Sequence, residues 1–138
     1  MTLDADVVRG RCQEIGQSLG RLERIRSEGR QAFLASDDTK DIACYRLLIA
    51  IEAALALCYH VSARRLRSVP DDYAGCFVSL ERGGLIGTDL SARLQQMARF
   101  RNLLVHVYWT VDYDRVFDVL EHHTGDLREF SLIVASLL

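Results

Sequence analysis

The residues best suited to chemistry fall in one short stretch: Arg101, Asn102, His106 and Tyr108. An imidazole changes charge near neutrality and can take or give a proton. A guanidinium offers a two-pronged clamp for phosphate or carboxylate oxygens. Asn102 stands one helical turn before His106, placed to orient its ring or an anion. Proton transfer beside a clamped anion is the chemistry this set supports. Zinc spacings, glycine-rich phosphate loops and serine triads do not occur.

Residues seven apart nearly superimpose on a helix, so Leu94, Met97, Arg101, Leu104 and Tyr108 form one seam. Arg101 therefore sits where a core or interface residue belongs. Phe100, Leu103, Val105, Val107 and Trp109 make the remaining faces apolar, which calls for cover beyond one small bundle. A second copy of the chain is the simplest cover, with His106 of each copy near the two-fold axis. A charge on such a seam is costly unless it is paired. Glu52, the lone acid in the run Leu47 to Leu55, is the natural partner. Two readings stand for that pair: a structural salt bridge, or an active-site pair. His106 likewise reads as a catalyst or as a hydrogen-bonded core or surface histidine. On an ideal helix it lies about 140° from Arg101. Either the helix is distorted there or the site is shared between subunits.

The elements that carry these residues read as helices throughout. Val8, Cys12, Ile15, Leu19 and Leu22 recur at helical spacing, predicting a first helix from Asp4 to Ser27. Glu28 to Leu34 forms a short helical piece or loop anchored by Phe33. Asp37, Asp38 and Thr39 offer caps for a long second helix, Thr39 to Arg67. Pro70 opens a third, Asp71 to Glu81, which ends at Gly83-Gly84. Thr88 caps a fourth, Asp89 to Trp109, and Asp112 a fifth, Tyr113 to His122. Gly125 breaks the pattern, and Asp126 with Glu129 resembles a capping box for the last helix. No segment alternates as a strand does. The expected fold is all-α, an antiparallel bundle of five to six helices in a single domain spanning 1–138.

With 49% hydrophobic and 26% charged residues, the composition suits one folded core. A net charge of −2 gives no support for a surface coated in basic residues for nucleic acid, and leaves room for a local phosphate site. Of the 17 basic residues only Lys40 is a lysine, a bias attributed mainly to genome composition. The N-terminal residues show no signal-peptide pattern. The apolar run Leu47 to Val61 carries Glu52 and His60 and is too short for a membrane span, so it reads as a buried helix. Cys12, Cys44, Cys58 and Cys76 lack metal spacing and are expected to be small buried hydrophobes rather than zinc ligands or disulfides. The cytoplasm is the expected compartment. His122 and His123 read as solvated helix-end residues, and Arg64, Arg65 and Arg67 as cations offsetting a helix dipole.

The segment Met97 to Trp109 resembles the signature helix of HepT-like proteins in the HEPN superfamily: Arg, four residues, His, one residue, Tyr, often with Asn after the Arg. Arg101, Asn102, His106 and Tyr108 match without a gap. Upstream, the apolar second helix, Pro70, Tyr73, Phe77, Leu80 and the turn Gly84-Leu85-Ile86 are similar too. The similarity covers roughly Asp41 to Leu138.

That resemblance implies a HEPN-like fold and an endoribonuclease toxin of a type VII toxin–antitoxin pair. It implies metal-independent, cofactor-free cleavage by a homodimer whose Arg–His motifs meet across the interface. RNA carries its own nucleophile, the 2′-hydroxyl, which suits such a site. The implied antitoxin is a cognate minimal nucleotidyltransferase (MNT type) that adenylylates Tyr108. An AMP anion beside Arg101 would then occupy the phosphate site. The alternative, on the same fold and dimer, is a non-catalytic subunit that serves such a nucleotidyltransferase as substrate or nucleotide-binding partner. No membrane partner is expected.

Overall fold

The computed structural model describes residues 2–105 and 110–138. Among them the secondary structure is entirely helical: α1 (Ala5–Glu28), α2 (Arg30–Ala35), α3 (Asp37–Arg65), α4 (Tyr73–Arg82), α5 (Thr88–Val105), α6 (Tyr113–His122) and α7 (Thr124–Ser136). The all-α expectation holds, with seven helices in place of five to six. The excess comes from α2, a single short helix clipped on by Phe33. That ring is buried against Phe117, at 5.3 Å between centroids.

The caps explain most boundaries. Asp4 accepts from the backbone N–H groups of Asp6 and Val7 and starts α1, while Asp112 accepts from Arg115 N–H and starts α6 as expected. Ser36, not Asp37 to Thr39, caps α3, leaving two acids in its first turn where the dipole favours them. Asp72 rather than Pro70 opens α4, accepting from Gly75 N–H at 2.6 Å. A Cβ at Gly75 would stand 2.7 Å from that same carboxylate oxygen, so a larger residue there would make the Asp72 side chain shift. The capping box at Asp126 is not formed. α7 begins at Thr124 directly after α6, and Asp126 turns inward from its first turn instead.

α3 is the axis of the domain and packs against every other described helix, most extensively against α1. By length and composition it could cross a membrane, yet Leu47, Ile51, Leu55, Cys58 and Val61 are buried within the bundle. The expected buried helix is what this run forms. Phe77 of α4 and Phe130 of α7, also fully buried, meet edge-on at 5.4 Å in the core.

The cysteines depart from expectation. Cys58 on α3 and Cys76 on α4 form a disulfide, their Cα atoms 6.2 Å apart and both side chains fully buried. Eighteen residues of sequence separate them. Only the packing of α4 against α3 brings them opposite one another. Cys12 and Cys44 are free, half-buried thiols. Burial and the nearby Asp41 push the Cys44 thiol up to about 11, so it stays protonated and unreactive.

Candidate active site

Arg101 lies in the last described turn of α5, held from three sides. Its Nε donates to Glu52 Oε1 on α3, its Nη1 donates to Asn102 Oδ1 at 3.3 Å, and its Cζ lies 4.9 Å from the centroid of the Tyr73 ring at the start of α4. Three helices thus converge on one guanidinium. Tyr73 in turn meets Tyr59 edge-on at 6.1 Å. Burial, with Tyr73, Asp72 and Asp71 near, raises the Tyr59 phenol above its ordinary value and keeps it a neutral donor.

The seam read from the sequence is observed in part. Leu94 and Met97 are buried, and Arg101 and Leu104 are half-buried. Leu103 is 39% exposed, so the apolar surface of this turn is left uncovered by its own bundle. His106 and Tyr108 lie outside the described residues, as does the expected continuation of the helix to Trp109. Of the expected site residues, the structure brings Arg101, Asn102 and Glu52 together.

Glu52 faces two ways. Beyond its bond to Arg101 it lines a cavity of about 250 Å³ between α1 and α3, together with Arg11, Glu14, Arg46 and Ile49. Arg46 keeps a buried Nε with no hydrogen-bond partner among the described residues. In the sequence Tyr73 matters only through the resemblance, and nothing there places it under Arg101. An aromatic next to the Asp72 cap, at the mouth of a helix facing α5, is the available signal. Among the described residues no cluster of His, Cys, Asp or Glu has a metal-binding arrangement.

The remaining candidates sort differently. His122 is exposed, as expected, whereas His123 is half-buried, its Nδ1 3.6 Å from Asp126 Oδ2. Arg64 reaches the Thr2 carbonyl at 3.2 Å and ties down the N-terminus rather than only facing the helix dipole.

An arginine steadied on an apolar seam of an all-helical bundle, one residue before an Asn, is the feature on which the resemblance to HepT-like proteins rests. The chain belongs to the ribonuclease HepT-like family, whose sequence pattern matches residues 15–133. It is similar to the mRNA nuclease HepT of Shewanella oneidensis, with 26% identity over 125 residues, 91% of this chain and 93% of that one. In shape it is similar to a tri-AMPylated Shewanella oneidensis HEPN toxin solved in complex with an MNT antitoxin. There the TM-score is 0.87 at 24% identity, covering 95% of this chain and 98% of the other. A toxin–antitoxin structure with AMP-PNP gives 0.85 at 24% identity, covering 94% and 98%. At that identity these two speak for the fold.

Proposed function

We propose that this chain is a metal-independent endoribonuclease toxin that cuts RNA with Arg101 and His106. Its cognate minimal nucleotidyltransferase neutralises it by adenylylating Tyr108. The Arg101 cluster carries the reading. A guanidinium fixed by Glu52, Asn102 and Tyr73 is preorganised, and preorganised charge stabilises a transition state without reorganising at the moment of reaction. Arg101 clamps the scissile phosphate and opposes charge on its oxygens as the 2′-hydroxyl attacks. His106, five residues on, moves the proton. Glu52 and Asn102 are positioning residues acting through Arg101.

The site is proposed to be completed by a second copy. Ile42, Tyr45, Ile49, Glu52, Ala56 and Tyr59 recur along α3 at spacings of three and four, and all are half-buried or exposed. Ile42 and Tyr45, at 47% and 58% exposure, leave an apolar stripe that leads to Glu52. With exposed Leu103, this stripe is the surface a homodimer would bury. A dimer at micromolar concentration in light scattering is expected. A stable monomer removes the shared site.

Cytoplasmic action is proposed from the RNA substrate alone, since the Cys58–Cys76 disulfide removes the cysteine argument for a reducing compartment. A second reading is a non-catalytic substrate or nucleotide-binding partner of the nucleotidyltransferase. It is favoured by one observation, that Arg101 is already engaged by Glu52 as in a structural bridge. RNA cleavage by purified protein in EDTA separates the two: cutting supports the toxin, and none supports the partner subunit. Tyr108→Phe keeps the ring and loses the hydroxyl. It is expected to retain most cleavage and to lose transfer of labelled AMP, and full labelling of that variant overturns the regulatory half.

A further inference from the structure

We infer that the gap between α5 and α6 is a binding groove for a nucleotide of the RNA strand, gripped by Arg115 and Phe100. The inference rests on the ribonuclease reading but concerns a different face of α5 from the one that meets Glu52.

α5 and α6 follow each other in the chain, yet among the described residues their backbones stay apart and Arg115 reaches Phe100 across the space. Two cavities, of about 250 and 210 Å³, fill the space between them, and both are walled by Phe100 and Arg115. The first extends past Met97 and Arg93 to His123. The second is walled by Leu103 on one side and by Thr110 and Val111 on the other. These residues flank in sequence the segment that carries His106 and Tyr108. The groove therefore ends at described residues on either side of that stretch in the sequence.

Its lining fits the two halves of a nucleotide. Met97, Phe100 and Val119 supply an apolar wall for a flat ring. The Arg115 guanidinium lies over Phe100, 5.6 Å from the ring centroid. From there it can present its plane to a base or its fork to a phosphate. Arg30, Arg93 and Arg101 are each bonded to carboxylates, whereas the Arg115 guanidinium has no such partner among the described residues. Of the acids in the two cavities, Asp118 is taken up by Arg30, and Asp112 accepts from the Arg115 backbone N–H at 3.3 Å as the cap of α6. An apolar peptide laid here would bury the Arg115 charge unpaired. A phosphate pairs it.

The test uses a short, fully 2′-O-methylated single-stranded oligoribonucleotide, which lacks the attacking hydroxyl and cannot be cut. Arg115→Glu is expected to weaken its binding about tenfold, and Arg115→Gln to weaken it less while lowering the salt slope by about one. Arg115 is exposed, so both variants are expected to keep wild-type helicity and melting. On cleavable RNA, KM should rise while kcat holds. Unchanged oligonucleotide binding in both variants, or no binding by wild type, overturns the groove. Free AMP that binds as tightly as the oligonucleotide, and with the same dependence on Arg115, overturns its assignment to a strand. If wild type cuts no RNA yet binding still falls with Arg115, the ribonuclease reading fails and the groove stands.

Discussion

Two arginines on α5 meet carboxylates from other helices with opposite burial. Near its start, Arg93 donates from Nε to Asp126 on α7 at 2.8 Å. There the acid is deep, at 11% side-chain exposure, and the arginine is out, at 41%. The Asp126 hydrogen bond holds the Arg93 guanidinium above its ordinary value. Near its end the order is reversed, with Arg101 at 21% and Glu52 at 40%. A buried acid tied to a surface arginine fastens two helices and offers a ligand little. A sunken arginine, backed by Tyr73 and held at its Nε by a half-exposed acid, is fixed in place as the proposed phosphate clamp needs. Similar pairs on one helix thus differ in which partner is buried, the acid at one end and the arginine at the other.

The sharpest way to break this comparison is to remove the second arginine. Arg101→Ala should lower RNA cleavage by about 10²–10³-fold, the cost of losing a donor aimed at developing charge. His106→Ala should cost about 10²–10⁴-fold through the lost proton shuttle. Circular dichroism and light scattering should stay at wild-type values in both. Cleavage that survives Arg101→Ala in EDTA would make Arg101 no different in kind from Arg93.

Glu52→Gln comes next. It keeps the shape and an acceptor oxygen but removes the charge facing Arg101. Because the pair is only half-buried, the stability loss should be about 1 kcal/mol, well short of the roughly 3–5 kcal/mol of a fully buried pair. Denaturant melts measure that. Kinetics separate positioning from packing: a positioning role lowers kcat with KM held, and a merely structural role moves neither at a temperature where the variant is folded.

Asp126→Asn tests the other side. It leaves Arg93 with Glu129, 3.6 Å from its Nη2, and removes the charge from the deep end of the pair. A lower Tm by a few degrees with unchanged kcat is expected. A loss of cleavage equal to that of Glu52→Gln would erase the distinction between the two ends of α5.

The end proposed to carry the chemistry was the more legible of the two. Glu52 stood out as one acid in an apolar run, and Arg101 as one charge on an apolar seam. Two such misfits in a small core have few partners but each other, and they are bonded. The Arg93–Asp126 pair was not legible, because Asp126 three residues before Glu129 looks locally like a helix cap. What turns it inward is that α7 already begins at Thr124, placing Asp126 inside the helix opposite α5. Tyr73 under Arg101 and Cys58 beside Cys76 have the same cause: both depend on where α4 lands, and no periodicity within one helix reports that. Helix existence and the Tyr113–His122 span came through intact, since caps and apolar spacing are local properties.

A smaller effect is expected at the far end of α3, where a third polar tie holds the N-terminus. The backbone N–H of Asp4 donates to His60 Nε2 at 3.0 Å, so the bond needs the ring neutral. Burial and the nearby Arg64 lower the His60 pKa below its ordinary value, outweighing the opposite pull of Asp4. A histidine depressed in the folded state is protonated first in the unfolded chain. Its contribution is therefore complete above the unfolded value of about 6.5 and is lost as pH falls through that value toward the folded one. Stability should thus decline on acidification below about pH 6.5 with a component that vanishes in His60→Gln, whose side-chain oxygen can still accept from Asp4. Melting curves across that window, compared between wild type and variant, measure it. A pH dependence identical in the two would mean that this histidine does not tie α1 to α3. Cleavage should titrate the same way in both proteins, because His60 lies on neither end of the α5 comparison.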